Sequence, residues 1–262
     1  MNTFEDLFSE YAGRITDTVN EQESVFIQYC KLFSSIITDS FYVLDIVQKQ
    51  FCYIKPDNLF LCDHSVEEAM RLGHDFYTQI IHPNDLPLWT NILKIIPQYL
   101  NDRKDKWNEI DYFSCTLRLL RKYSFSSRFL SQMIYQRMKP ICLNNQLRYL
   151  ICIVGSSTYK ETGDLLLHNK NILIYEEYNF TTRRWKQQTR ELLTEREKAI
   201  LMLAQQGKSV VEIANDLCKG EYTIRNQIKA LYTKLKVHSI QEAIEIVCYR
   251  RLLHSEGTRA VI

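Results

Sequence analysis

Tyr222, Arg225, Asn226, Lys229, Thr233 and Lys236 recur at helical spacing near the C-terminal end of the chain. At about 100° per residue, that spacing gathers them on one face of a helix. Arginine presents a rigid fork of donors, lysine a mobile cation, and asparagine both a donor and an acceptor. Such a set can hydrogen-bond the edges of bases in a major groove and pair with phosphate oxygens. No acidic side chain is expected on that face. Bond-breaking chemistry has far less support. His82 and Asp85 are close in sequence, but no nucleophile, phosphate loop or paired carboxylate accompanies them, so no enzyme and no catalytic residue is expected. The eight cysteines (Cys30, Cys52, Cys62, Cys115, Cys142, Cys152, Cys218 and Cys248) form no C-x-x-C pair and lie mostly in apolar runs. Reduced thiols, and no metal site, are the expectation.

The elements that must hold this face can be read from start signals. Thr194-Glu195-Arg196-Glu197, Ser209-Val210-Val211-Glu212 and Ser239-Ile240-Gln241-Glu242 each place a hydroxyl at an N-cap and a carboxylate three residues on. Gly207 suits a left-handed helix end. Helices are therefore predicted at about 195–205, 210–217, 221–235 and 240–253. On the third, Ile224, Ile228, Leu231 and Leu235 fall within roughly 60° of one another and must face a core. Ala243, Ile244, Val247 and Leu252 point inward from the fourth. Two short helices joined by Cys218-Lys219-Gly220, the second with a core stripe and a cationic outer face, describe a helix-turn-helix from Ser209 to Ile228.

Charge agrees with that placement. The net charge of +2 hides an asymmetry: residues 181–262 carry 15 basic against 9 acidic side chains, or +6, and residues 1–180 carry 18 against 22, or −4. The basic end is where a nucleic-acid footprint belongs. At 45% hydrophobic and 24% charged, the composition is that of a globular chain. No apolar run approaches the ~18 residues of a membrane span. The N-terminus is acidic and lacks a signal-peptide h-region, so a cytoplasmic protein without membrane partners is expected.

Leu193-Thr194-Glu195-Arg196-Glu197, Gly207-Lys208-Ser209, Glu212-Ile213-Ala214, Leu217, Thr223-Ile224-Arg225-Asn226 and Tyr232-Thr233-Lys234-Leu235-Lys236-Val237 resemble, in order and without gaps, the LuxR-type helix-turn-helix. The resemblance covers roughly 190–253. It implies a four-helix domain that binds double-stranded DNA as a homodimer and reads bases with its third helix, through Arg225, Asn226 and Lys229. It assigns Ser209, Thr223 and Lys234 to phosphates, and leaves Glu195 and Arg196 largely structural. Tyr222, Thr233 and Lys236, a phenol, a hydroxyl and a cation on the same outer face, join the phosphate set. Two positions depart from the pattern: Gly220 stands where a Ser usually caps the recognition helix, and Gln227 where His is common.

The N-terminal part reads as α+β. Residues 3–35 are predicted helical, with Thr3 as N-cap and Phe4, Leu7, Phe8 and Tyr11 in register. Short strands follow at 41–47 and 51–54, short helices at 65–81 beginning with the box at Ser65, a helix at 85–101, and strands at 111–121, 125–139 and 146–156. Consecutive strands make the sheet antiparallel, five-stranded, with helices grouped on one side. That order excludes the parallel βαβ receiver domain often found before a LuxR-type domain. Asp39-Ser40-Phe41-Tyr42-Val43-Leu44-Asp45, Phe51-Cys52-Tyr53-Ile54 and Phe76–Leu86, with its Ile81-His82-Pro83-Asn84-Asp85 segment, resemble a PAS domain. The resemblance implies a sensory or dimerising module. No cysteine sits in a flavin-photoreceptor context. His64, His74 and His82 are haem-ligand candidates by position only. No cofactor is expected, and an unidentified small molecule, or none, is the reading left for the PAS-like domain. The organisation expected is a helical segment at 1–35, the PAS-like domain at 36–157, a strand pair and linker at 158–189, and the helix-turn-helix domain at 190–253. A transcriptional regulator follows. The competing reading is a signalling adaptor whose PAS-like domain binds a protein and whose helix-turn-helix has degenerated, favoured only by Gly220 and Gln227.

Overall fold

The computed structural model describes residues 19–122, 129–143, 146–159, 162–171, 173–190, 192–249 and 252. The readings of Thr3, Phe4, Leu7, Phe8 and Tyr11 lie outside the described residues. Helix α1 (Val19–Ile36) leads into β1 (Ser40–Asp45) and β2 (Gln50–Ile54). Three short helices follow, α2 (Asn58–Leu61), α3 (Val66–Leu72) and α4 (Tyr77–Ile80), the last two separated by a 3-10 turn at Gly73–Phe76. Then come α5 (Leu86–Asp102), a second 3-10 segment (Lys104–Glu109), and the long strands β3 (Ile110–Lys122), β4 (Phe129–Leu143) and β5 (Gln146–Ser156). Ser65 caps α3 by accepting from the Glu68 N–H at 3.1 Å. The Glu68 carboxylate turns to His64 Nδ1 at 3.0 Å, so only half of the predicted box closes.

One antiparallel sheet runs β2-β1-β5-β4-β3-β6-β7-β8, with β6 (Leu165–Asn169), β7 (Ile174–Asn179) and β8 (Arg184–Thr189). The sheet thus has eight strands where five were expected. Its first five form the predicted N-terminal unit. The added three run on past residue 157: β6 pairs with β3, Phe113 opposite Leu167, and β8 pairs with β7, Tyr178 opposite Trp185. The segment read as a strand pair and linker, 158–189, holds three strands and ends in β8, not in a linker. Trp185 explains why, since its ring packs against Tyr99 of α5 at 4.9 Å and Tyr178 at 5.2 Å and so ties a polar stretch to the core.

Strand β4 also runs further than its sequence suggests. It passes through Pro140, opposite Leu150 of β5. The β3–β4 register ends at Met138, so Pro140 has a strand on one side only, and an edge-like position tolerates a missing N–H. The main core lies between the sheet and the helices. Trp89, Ile92, Ile96, Tyr99 and Leu100 form the buried stripe of α5, and they meet Phe113, Leu117, Met138 and Leu167 from the strands. On the other sheet face, α1 covers Phe41, Val43 and Ile151 through Phe26 and Cys30, with Phe26 stacked on Tyr149.

The C-terminal helices are α6 (Glu195–Gln205), α7 (Val210–Asp216), α8 (Glu221–Leu235) and α9 (Ile240–Tyr249). Three match the predicted bounds within a residue. α9 is described to Tyr249, and residue 253 lies outside the described residues.

Candidate nucleic-acid interface

Local hydrogen bonding fixes each helix start. The Thr194 hydroxyl accepts from the Glu197 N–H at 3.2 Å, and the Glu197 carboxylate accepts from the Thr194 N–H at 2.7 Å. Ser209 and Glu212 repeat the exchange at 3.4 and 2.8 Å. Ser239 caps α9 at 3.1 Å, but its partner Glu242 accepts from the His238 N–H instead, so this third box reaches one residue further back than predicted. Gly207, at φ +82°, ends α6 in the left-handed conformation that glycine adopts without strain. In the turn between α7 and α8, Cys218 takes φ +50° and the Lys219 N–H reaches the Ala214 carbonyl at 2.8 Å. Gly220 sits in extended backbone at φ −71°, ψ 147°, and its carbonyl accepts from the Thr223 and Ile224 amides. No side chain caps α8.

Packing then orients α8. Ile224, Ile228, Leu231 and Leu235 are all buried, as the stripe requires. Ile224 and Ile228 join Ile200, Ile213 and Ala214, while Leu231 and Leu235 join Leu201, Ala243, Ile246 and Val247. With that face committed, Tyr222, Thr223, Arg225, Asn226, Lys229, Thr233 and Lys236 are left exposed to solvent.

The expected contact set divides once neighbours are considered. Arg225 is accompanied by an acid, contrary to expectation. Glu221, one turn earlier, lies 3.5 Å from its guanidinium, and both side chains are more than half exposed. An exposed i,i+4 pair of this kind contributes only about 0.3–0.5 kcal/mol and yields readily to phosphate or guanine. Lys234 is half-buried, with its ammonium donating to the Leu192 carbonyl at 2.8 Å and to the Glu197 carboxylate at 2.9 Å. It ties α8 to the start of α6. The Ser209 hydroxyl is engaged with Glu212, and the Thr233 hydroxyl donates back to the Lys229 carbonyl at 3.2 Å. Burial alone would raise the Glu197 carboxyl, but donation from the Thr194 N–H and from Lys234 outweighs it and holds the group below the usual carboxylate range. Donation from Ser209 likewise lowers Glu212.

In the N-terminal part, the Ile81–Asp85 segment is structural. Asp85 is buried and receives the Arg118 N–H and Nε–H, each at 2.9 Å, locking the start of α5 to β3. Burial would raise its carboxyl, but these Arg118 contacts lower it below the usual range. His82 Nδ1 accepts from the Asn84 N–H at 3.2 Å, a local turn bond. His64 pairs with Glu68. His74 is held below its usual pKa, first by burial and then by Lys49, and its buried Nε2 has no hydrogen-bond partner. The three histidines the sequence singled out thus have three separate surroundings. The core also holds a polar thread: Gln136 Nε2 donates to the Tyr42 hydroxyl at 2.7 Å, and Tyr77 donates to it at 3.1 Å. Trp89 Nε1 is buried close by without a hydrogen-bond partner.

A cluster absent from the sequence reading joins Ser114, His168 and Arg190. Ser114 Oγ lies 2.7 Å from His168 Nε2, and Arg190 meets Nδ1. A guanidinium only donates, so Nδ1 must accept and Nε2 carries the proton. That tautomer donates to Ser114 and cannot take its proton, so the trio is not a nucleophile–base pair. Sequence separation hid it: 54 residues part Ser114 from His168.

A short helix with a reciprocal cap (α7), a tight turn, and a second helix (α8) whose solvated basic face lies opposite its buried stripe define a helix-turn-helix DNA-binding domain. Residues 191–247 match the family model described as bacterial regulatory proteins, luxR family. This segment is a LuxR-type domain, and the protein is a DNA-binding regulator. No curated protein matches the chain. Among solved structures, a Vibrio cholerae VqmA dimer without its target DNA is 16% identical over 90% of each chain, with a TM-score of 0.29. A Vibrio cholerae VqmA–ligand–DNA complex is 15% identical over 90% of this chain and 89% of that one, at 0.32. An RNA-binding light-oxygen-voltage receptor is 9% identical over 79% of this chain and 47% of that one, at 0.30.

Proposed function

We propose that this protein is a cytoplasmic, non-enzymatic transcription regulator in which a PAS-like N-terminal sensor, residues 36–157, controls a LuxR-type domain at 190–253 that binds DNA as a homodimer. The exposed face of α8, opposite its buried stripe, carries the reading. Arg225, Asn226 and Lys229 are the base readers. Thr223 and Lys236 contact phosphate at the flanks, and the N-terminus of α7 behind Ser209 adds backbone donors to the same backbone. Lys234 holds α8 against α6 as its main task. One recognition helix covers only a half-site, so two copies are needed for a full one. The segment 158–189 is assigned to the sensor as an extension of its sheet.

For the sensor we assign a small organic ligand with a hydrogen-bond acceptor, supported by the orphaned indole N–H of Trp89 beside the Tyr42–Tyr77–Gln136 thread. VqmA has been described in complex with the ligand DPO, and a ligand of that general kind is the one to try first. Thermal-shift screening of the full chain against small metabolites, with Trp89→Phe as control, tests the assignment.

The central test is selection from random duplexes. An enriched, two-fold symmetric motif supports the regulator. The absence of any motif at low salt would favour the adaptor. Affinity for the selected site should fall steeply and log-linearly with salt, since phosphate contacts release counterions.

A further inference from the structure

We propose that Tyr222 reads a thymine through its C5-methyl group, making it a specificity-determining residue and not a phosphate contact. The inference rests on the assignment of α8 to the major groove.

Tyr222 is 78% exposed, more than any other large apolar or aromatic side chain described. Single exposed aromatics are ordinary on protein surfaces; its position distinguishes this one. At about 100° per residue, Arg225, Asn226 and Lys229 lie within roughly 60° of Tyr222 around the helix. The buried Ile224–Leu235 stripe is centred roughly 150–180° away. Tyr222 therefore stands near the middle of the face that looks into the groove. Thr223, roughly 100° to one side, faces a flanking backbone.

Tyr222 is also the second residue of α8, which begins at Glu221. N-terminal residues of a recognition helix are the ones that reach base edges. A central, first-turn side chain meets the groove floor, whereas phosphates line its walls. What a phenol ring can recognise there is limited. The thymine methyl is the only apolar group that bases present in the major groove. The ring would cover it while Arg225, next along the face, takes a neighbouring guanine. The hydroxyl has no essential part in this contact.

The test uses the full-length protein and the duplex obtained by selection. Each thymine of the half-site is replaced singly by uracil, which removes only the methyl. Binding is measured for wild type, Tyr222→Phe, Tyr222→Ala and Thr223→Ala. At one position uracil should weaken wild-type binding about fourfold, the worth of one buried methyl. Tyr222→Phe should behave as wild type. Tyr222→Ala should lose about five- to twentyfold and become indifferent to uracil at that position. Thr223→Ala should weaken all duplexes alike and keep the uracil effect. Equal losses in Tyr222→Phe and Tyr222→Ala would overturn the inference in favour of a hydroxyl–phosphate contact. So would an unchanged uracil effect in Tyr222→Ala. If the wild type selects no motif at all, the groove assignment itself falls and takes this inference with it, so the two failures are distinguishable.

Discussion

Replacing Gly220 by Ser should stabilise the C-terminal domain. Gly220 occupies the N-cap of α8 at φ −71° and ψ 147°, a conformation open to any L-residue. A Cβ built there meets nothing within 4 Å. A serine hydroxyl can accept from the Thr223 N–H as Ser209 accepts from Glu212 in α7. With the smaller freedom of serine in the unfolded chain included, the change is worth roughly a few tenths of a kcal/mol over glycine. Gly220→Ala isolates the hydroxyl, because alanine restricts the unfolded chain without supplying an acceptor. Urea unfolding of the three proteins, followed by helix signal, should rank Ser above both Gly and Ala. A serine variant no more stable than the alanine one would refute the cap geometry. Selected-site binding should be unchanged, since Gly220 lies at the end of the reading face and not on it.

Three further outcomes are expected. Arg225→Ala and Lys229→Ala should each lose about 1–3 kcal/mol of discrimination at one base position; both side chains are exposed, so the thermal midpoint should hold while binding to mutated sites is compared. Glu197→Gln should flatten the acid limb of the stability curve: the folded carboxyl is depressed below its ordinary 4.5, so its contribution is present above that value and drains as pH falls through the lower folded value. Unfolding measured from pH 7 to pH 3 would show wild type and variant converging, and parallel curves would count against the Thr194–Glu197–Lys234 arrangement. Asp85→Ala should destabilise the N-terminal part by about 3 kcal/mol, because it strands the Arg118 guanidinium and N–H that Asp85 satisfies; an unchanged denaturation midpoint would contradict that lock.

The N-terminal fold was legible where its signals were local. The near-continuous apolar run of β5 and the helical spacing of Trp89, Ile92 and Ile96 appear where the pattern puts them, whereas β3, read as a partly alternating strand, is buried on both faces from Tyr112 to Leu117 because β4 and β6 flank it within the sheet. What failed was non-local. Leu165-Leu166-Leu167 is only three apolar residues beside Gly163 and Asp164, too short to announce a strand, yet all three are buried once β6 pairs with β3. Arg184–Thr189 reads as basic linker because its one apolar anchor, Trp185, finds Tyr99 across the fold.

The same division runs through the interface. Sequence alone determined the helices of the C-terminal domain, because caps at Thr194 and Ser209 and the Ile224–Leu235 stripe depend on residues three or four apart. It also determined the outer face of α8, which follows once the stripe is buried. Tertiary structure decided which of those side chains are available. Lys234 looks like any surface lysine until α6 brings Glu197 and the Leu192 carbonyl to its ammonium. Ser114, His168 and Arg190 become a hydrogen-bonded trio only when β3, β6 and the end of β8 share one sheet. Hydrogen bonds within one helical turn are set by chain geometry, whereas these are set by register between strands and helices far apart in sequence, which no local pattern encodes.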